Sequence, residues 1–179
     1  ISNISKQLDI VITPFIKNEM NDGTIYDSHK YCNNIQESDV HKVKCGVDLN
    51  IINNFNNLKL LIFKWHYNKI IGENVLPNSL QKISFGHNYN QVIGVNVLPN
   101  SLQSLSFGFS FHQIIGVNVL PNLLRALTLS CGYNKIIGIN VLPNSLQVIN
   151  FDFYYNCFKC KKHIVPEDFQ NRVKNIYVK

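Results

Sequence analysis

The sequence predicts a β-rich solenoid, a stack of about five to seven 22-residue turns that each give one short parallel strand, with irregular N- and C-terminal caps. Three observations carry that reading. Leu76-Pro77-Asn78-Ser79-Leu80 returns at 98–102, at 120–124 with Leu123 in place of serine, and at 142–146, so the copies start at a constant step along the chain. Each copy runs into two apolar residues separated by one polar residue, the period of a strand with one buried face. Pro77, Pro99, Pro121 and Pro143 punctuate the units and Gly86 and Gly108 follow two of the strands, which argues against helices.

The elements follow in chain order. Val40, Val43 and Cys45 fit the strand frame at a shorter offset of 18 and read as an atypical opening turn. Leu58, Leu61 and Phe63 hold the pattern where the Leu-Pro is lost. The regular units then read Leu80, Ile83, Phe85; Leu102, Leu105, Phe107; Leu124, Leu127, Leu129; and Leu146, Ile149, Phe151. After Val165-Pro166-Glu167-Asp168-Phe169, the residues Val173, Ile176 and Val178 fit the frame once more. Terminal turns that deviate are what a stack needs to close its core. The expected division is 1–39 as an N-terminal cap or remnant of an upstream domain, 40–156 as the solenoid and 157–179 as a C-terminal cap.

Later in each unit an aromatic precedes a polar residue: Tyr67-Asn68, Tyr89-Asn90, Phe111-His112, Tyr133-Asn134 and Tyr155-Asn156. The aromatic is expected to fill the core. The asparagine is expected to hydrogen-bond backbone groups of the next turn, with His112 as a substitute hydrogen-bonding residue. Ile70, Ile71, Gly72 and their equivalents return the chain along the far wall. The outward strand positions give a floor of small residues, among them Ser84, Ser106, Thr128 and Ser130.

The stretch LPNSLQKISFGHNYNQVIG resembles the FNIP repeat, a leucine-rich-repeat-like unit of slime moulds and giant DNA viruses. The resemblance covers residues 54–156 and is specific, because Leu-Pro-x-Ser-Leu, the strand and the Tyr89-Asn90-Gln91 step come in fixed order. Val92 stands where proline is usual, His112 replaces asparagine, and Ser130 and Asp152 replace glycine. In viral proteins of this kind the repeats often follow an F-box, so the resemblance implies substrate recognition for a viral or host ubiquitin ligase. Ile1 to Met20 is too short for that domain.

Past the strand the equivalent positions vary: Trp65 and His66, His87 and Asn88, Phe109 and Ser110, Cys131 and Gly132, Phe153 and Tyr154. Variation within a fixed unit is how a repeat protein presents a binding surface, so Trp65, His66, His87, Phe109, Phe153 and Tyr154 are the candidate contact residues. Packing over the sheet is the competing reading.

The net charge is +6, yet from Leu76 to Asn150 the only charged residues are Lys82, Arg125 and Lys135. A nucleic-acid groove needs a basic stripe along the stack, so no nucleic-acid partner is expected. No apolar run reaches the roughly 18 residues of a membrane helix, and no membrane partner is expected either. Hydrophobic residues make up 45% and charged residues 16%, a composition that folds rather than stays disordered. Five cysteines at irregular spacing suit a reducing cytosol. A cytoplasmic location is expected, in the host cytoplasm if the source is viral. The start at Ile1 reads as a fragment of a soluble protein.

Cys157 and Cys160, with His163, have metal-ligand spacing, but a structural zinc site takes four ligands. Capping cysteines are the simpler reading, and no metal or cofactor is assigned. No enzyme is expected, since between Leu76 and Asn150 no carboxylate stands ready to orient a histidine. The expected function is protein–protein interaction with a partner of unknown identity, with the F-box-type adaptor as its finer form. The alternatives are a structural or decoy repeat protein and a small metal or thiol protein built on Cys157 and Cys160.

Overall fold

The computed structural model describes residues 11–14, 40–45, 56–130, 132–152, 164–167, 169 and 176–178. Among the described residues eight strands lie in one sheet in sequence order. They are β1 (Val11–Pro14), β2 (Val40–Cys45), β3 (Leu60–Phe63), β4 (Lys82–Ser84), β5 (Ser104–Ser106), β6 (Ala126–Ser130), β7 (Val148–Asp152) and β8 (Ile176–Val178). β1 is antiparallel to β2; every later pair is parallel. A parallel neighbour needs a crossover, and here the rest of each turn supplies it.

Register follows the repeat without slip. Leu61, Ile83, Leu105, Leu127 and Ile149 face one another across β3 to β7, each strand one repeat on from the last. The irregular ends obey the same frame. Val43 lies opposite Leu61 and Cys45 opposite Phe63, at the offset of 18. Ile176 lies opposite Ile149 and Val178 opposite Phe151. A slip of one residue would turn every buried leucine to solvent.

The core lies behind the sheet. Leu61, Phe63, Ile83, Phe85, Leu105, Phe107, Leu127, Leu129, Ile149 and Phe151 point inward and are buried, each such side chain stabilising by roughly 1.5–3 kcal/mol. In every Leu-Pro unit the amide of the second leucine donates to the proline carbonyl: Leu80 to Pro77 at 3.1 Å, and Leu102, Leu124 and Leu146 to Pro99, Pro121 and Pro143 at 3.0 Å. Phe169 N–H donates in the same way to the Pro166 carbonyl at 3.1 Å. Ile164, Val165 and Phe169 are buried, and Ile137 N–H donates to the Ile164 carbonyl at 2.9 Å.

Two polar rows tie turn to turn. Ser79, Ser101 and Ser145 each donate from Oγ to a carbonyl of the preceding turn, Leu58 at 2.8 Å, Leu80 at 2.6 Å and Leu124 at 2.6 Å. Leu123 breaks this row and is 57% exposed. The second row is the expected asparagine ladder. Asn68 Oδ1 accepts from Asn90 N–H and Asn90 Oδ1 from His112 N–H, both at 2.9 Å. Gln91 and Gln113 add bonds from Nε2 to the same oxygens at 3.1 Å.

Two residues depart from the sequence expectation. His112 donates its backbone N–H to the ladder but does not continue it, because its Nδ1 is buried with no hydrogen-bond partner. An imidazole cannot offer the carboxamide oxygen that meets the next amide. Ser130 does not join the outward floor of the sheet: it is buried and donates from Oγ to the Phe109 carbonyl at 3.1 Å. The strands lengthen at the same place. β4 and β5 end before Gly86 and Gly108, whereas β6 and β7 run on to Ser130 and Asp152, which pair with each other.

Leu123→Ser should restore the missing bond to the Leu102 carbonyl at an exposed site that loses little packing. We expect a gain of about 1 kcal/mol, read as a rise of roughly 2–4 °C in Tm; an unchanged or lower Tm would show that the serine row contributes no net stability.

Candidate functional site

After each strand the chain makes a tight corner. Tyr67 N–H donates to the Lys64 carbonyl at 3.0 Å, Tyr89 to Gly86 and Phe111 to Gly108 at 3.3 Å, and Tyr133 to Ser130 at 3.1 Å. These are β-turn bonds, closed over Trp65-His66, His87-Asn88 and Phe109-Ser110. Adjacent corners are bonded too, Asn88 N–H to the Trp65 carbonyl at 3.0 Å and Ser110 N–H to the His87 carbonyl at 2.9 Å.

Glycine permits this close stacking. A Cβ at Gly86 would overlap the Lys64 carbonyl oxygen, and one at Gly108 would overlap the Gly86 carbonyl. With backbone packed on backbone, the side chains of the next position must stack. Trp65 and His87 lie with ring centroids 4.2 Å apart at 8°, and His87 and Phe109 5.2 Å apart at 14°. The row faces out, with Trp65 57% and Phe109 43% exposed.

The fourth residue of each corner points the other way. Tyr67, Tyr89, Phe111 and Tyr133 form a buried column with centroids 6.2, 6.5 and 6.0 Å apart. A parallel column joins Phe63, Phe85 and Phe107 at 4.9 and 5.2 Å, and the two columns meet at Phe85–Tyr89, 4.0 Å, and Phe107–Phe111, 3.8 Å.

Polar contacts fix the histidines. His87 Nδ1 lies 2.9 Å from Asn88 Oδ1, and Asn88 Nδ2 lies 3.2 Å from His66 Nδ1. An amide oxygen only accepts and an amide nitrogen only donates. With the Asn88 amide in this orientation, Oδ1 can accept from His87 Nδ1 while Nδ2 donates to a lone pair on His66 Nδ1.

The structure thus brings together Trp65, His66, His87 and Phe109 of the candidate contact residues. Phe153 and Tyr154 lie outside the described residues, as do Cys157, Cys160 and His163. Among the described residues no group of three or more His, Cys, Asp or Glu side chains is placed to hold a metal ion. No helix among them is long and apolar enough to cross a membrane.

One recurring feature went unread in the sequence. Asn74, Asn96, Asn118 and Asn140 all adopt positive φ, between 57° and 67°, a backbone that asparagine tolerates better than most residues. Their recurrence once per repeat, two positions before each Leu-Pro, was the available signal. With Asn100 and Asn122, the last three line a polar hollow.

Burial alters the tyrosine column in a measurable way. It pushes the Tyr133 phenol up to about 12, with a backbone hydrogen bond at Ile115 pulling the other way. Burial and then the neighbouring Tyr67 push Tyr89 higher still, and the Tyr89 hydroxyl has no hydrogen-bond partner. In the unfolded chain these phenols ionise near 10. Above that pH the folded chain holds protons the unfolded chain has lost. Their contribution to stability is thus complete below pH 10 and lost as pH rises through about 12. Near-ultraviolet titration of tyrosinate should show a late-ionising class in folded protein, with Tm falling across that window; a single class near 10 would contradict the burial of this column.

The FNIP Repeat family model matches residues 55–88 and 89–132. Among solved structures, CroV588 of a giant virus, described as a novel circular LRR protein structure, is 46% identical, with 54% of this chain and 17% of that chain aligned at a TM-score of 0.43. The present chain thus spans less than a fifth of that protein's length. No curated protein matches it in sequence. A repeat fold of this type suggests a protein-interaction module. Residues 55–132 thus match the FNIP repeat model, and in the structure these residues form stacked turns of the parallel-strand solenoid.

Proposed function

We propose that the chain is a protein-recognition module whose contact surface is the outer corner row of Trp65, His66, His87 and Phe109. The observation that carries this reading is the exposed stack of Trp65, His87 and Phe109. Three rings held face to face by a fixed backbone lose little entropy when a partner docks. They present ring edges to apolar and aromatic side chains and to carbonyl oxygens. By sequence spacing alone Phe153 is the repeat equivalent of Trp65 and Tyr154 that of His66, so both belong to the proposed contact set.

A charge-poor body suits a partner chosen by shape and apolar contact rather than by long-range attraction. The finer reading is substrate recognition within an F-box-type ubiquitin ligase adaptor. What supports it is the resemblance of the repeats to those that follow an F-box in viral proteins.

The test is affinity purification from host cells with the native upstream sequence attached, comparing the wild type with Trp65→Ala, His87→Ala, Phe109→Ala. We expect recovery of a ligase scaffold and a client, with the client bound about 30-fold or more weakly by the variant, as for loss of interface hot spots. Equal client recovery would remove the aromatic row as the contact surface. A client recovered without any ligase component would leave the interaction module and overturn the adaptor reading.

A further inference from the structure

The return wall holds a second surface of different chemistry. Ile70, Val92, Ile114 and Ile136 recur at one position of successive turns, and Val95, Val117 and Ile139 recur three residues further on, with Glu73 in the first turn. All seven apolar side chains are between 46% and 75% exposed. The residues between the rows behave differently. Ile71, Ile93, Ile115 and Ile137 are buried and belong to the core.

The fold does not call for this arrangement. A return segment needs one apolar residue per turn for the core, and the buried isoleucines already provide it. Gly72, Gly94, Gly116 and Gly138 separate the two exposed rows. None has a positive φ, and a Cβ on any of them would meet only a valine methyl at 3.4–3.7 Å, an ordinary contact. The glycines leave a shallow channel between two β-branched ridges. It runs on to an apolar hollow lined by Ile136, Ile139, Ile164 and Pro166.

The size and charges of this face point to an occupant. Seven side chains at that exposure present roughly 700–800 Å². The largest apolar patch of an ordinary monomer is about 300–600 Å², and each partner in a standard interface buries about 800 Å². Apart from Glu73, which opens the second ridge, the ridges are uncharged. Among the described residues Lys69 and Glu73 stand beside the ridges at the first turn and Lys135 and Glu167 at the last, one cation and one anion at each end. A surface with both signs at both ends is self-complementary, as a two-fold interface requires. A second copy also brings ridges of the same pitch.

We infer that the return wall is a homodimer interface, in which the Ile70 and Val95 rows of one chain pack against the same rows of a second copy. It is distinct from the aromatic corner and stands whether or not that corner binds a partner.

Analytical ultracentrifugation of the full chain over a concentration series tests this, with Ile114→Lys, Val117→Lys as the variant and Trp65→Ala as control. The substituted residues are exposed, so circular dichroism and Tm should match the wild type. We expect the wild type to sediment at twice 20.6 kDa, the control likewise, and the variant as a monomer or a dimer weakened at least tenfold. A wild type that stays monomeric throughout would overturn the inference and leave the wall to a different partner. A dimer that survives in the variant would overturn it too, placing the contact elsewhere.

Discussion

Leu61, Ile83, Leu105, Leu127 and Ile149 stand in line across five strands, and this in-register pairing of each turn with the next places everything else. A single turn has one inward strand face, one aromatic and a Leu-Pro corner, too little to enclose a core. Two turns in register bury what neither could bury alone. Because parallel pairing carries each position onto its equivalent, identical residue types form columns: phenylalanine on phenylalanine, serine oxygen on carbonyl, asparagine on amide.

The columns differ in how much substitution they accept. An apolar column tolerates exchange among leucine, isoleucine and phenylalanine, since burial is non-directional. A polar column does not, because a buried amide needs an acceptor at a fixed place. His112 shows the difference. Its ring takes the place of an asparagine, yet Nδ1 stays unpartnered, so His112 passes no bond of the ladder onward. Corners are stricter still: Gly86 and Gly108 admit no Cβ, and where Ser130 replaces glycine the strand continues and the hydroxyl takes up a carbonyl. The same close approach sets the outer rings 4.2 and 5.2 Å apart, so the candidate recognition surface is a product of the backbone stacking.

Much of this was legible in the sequence. The spacing of Leu-Pro copies fixed the register, including the offset of 18 that sets Val43 opposite Leu61 and the frame that sets Ile176 opposite Ile149. The asparagine ladder followed from polar residues at one place in successive turns. The variant positions past the strand located the aromatic row. Less legible was which of two adjacent apolar residues faces solvent. Ile70 and Ile71 read alike, and only the backbone shows the first exposed and the second buried. Ser130 was misplaced because alternation along a strand does not say where the strand ends. The positive-φ asparagines were hidden among many asparagines without that role.

The claim that each turn is completed only by its neighbours is tested most directly by native-state amide hydrogen exchange across β4, β5 and β6. If the turns are mutually dependent, the amides of these central strands should exchange through one shared opening, with a common free energy and a common denaturant dependence. If β5 opened alone at a much lower free energy while β4 and β6 stayed protected, each turn would be a self-sufficient unit, and the mutual completion of neighbouring turns would be contradicted.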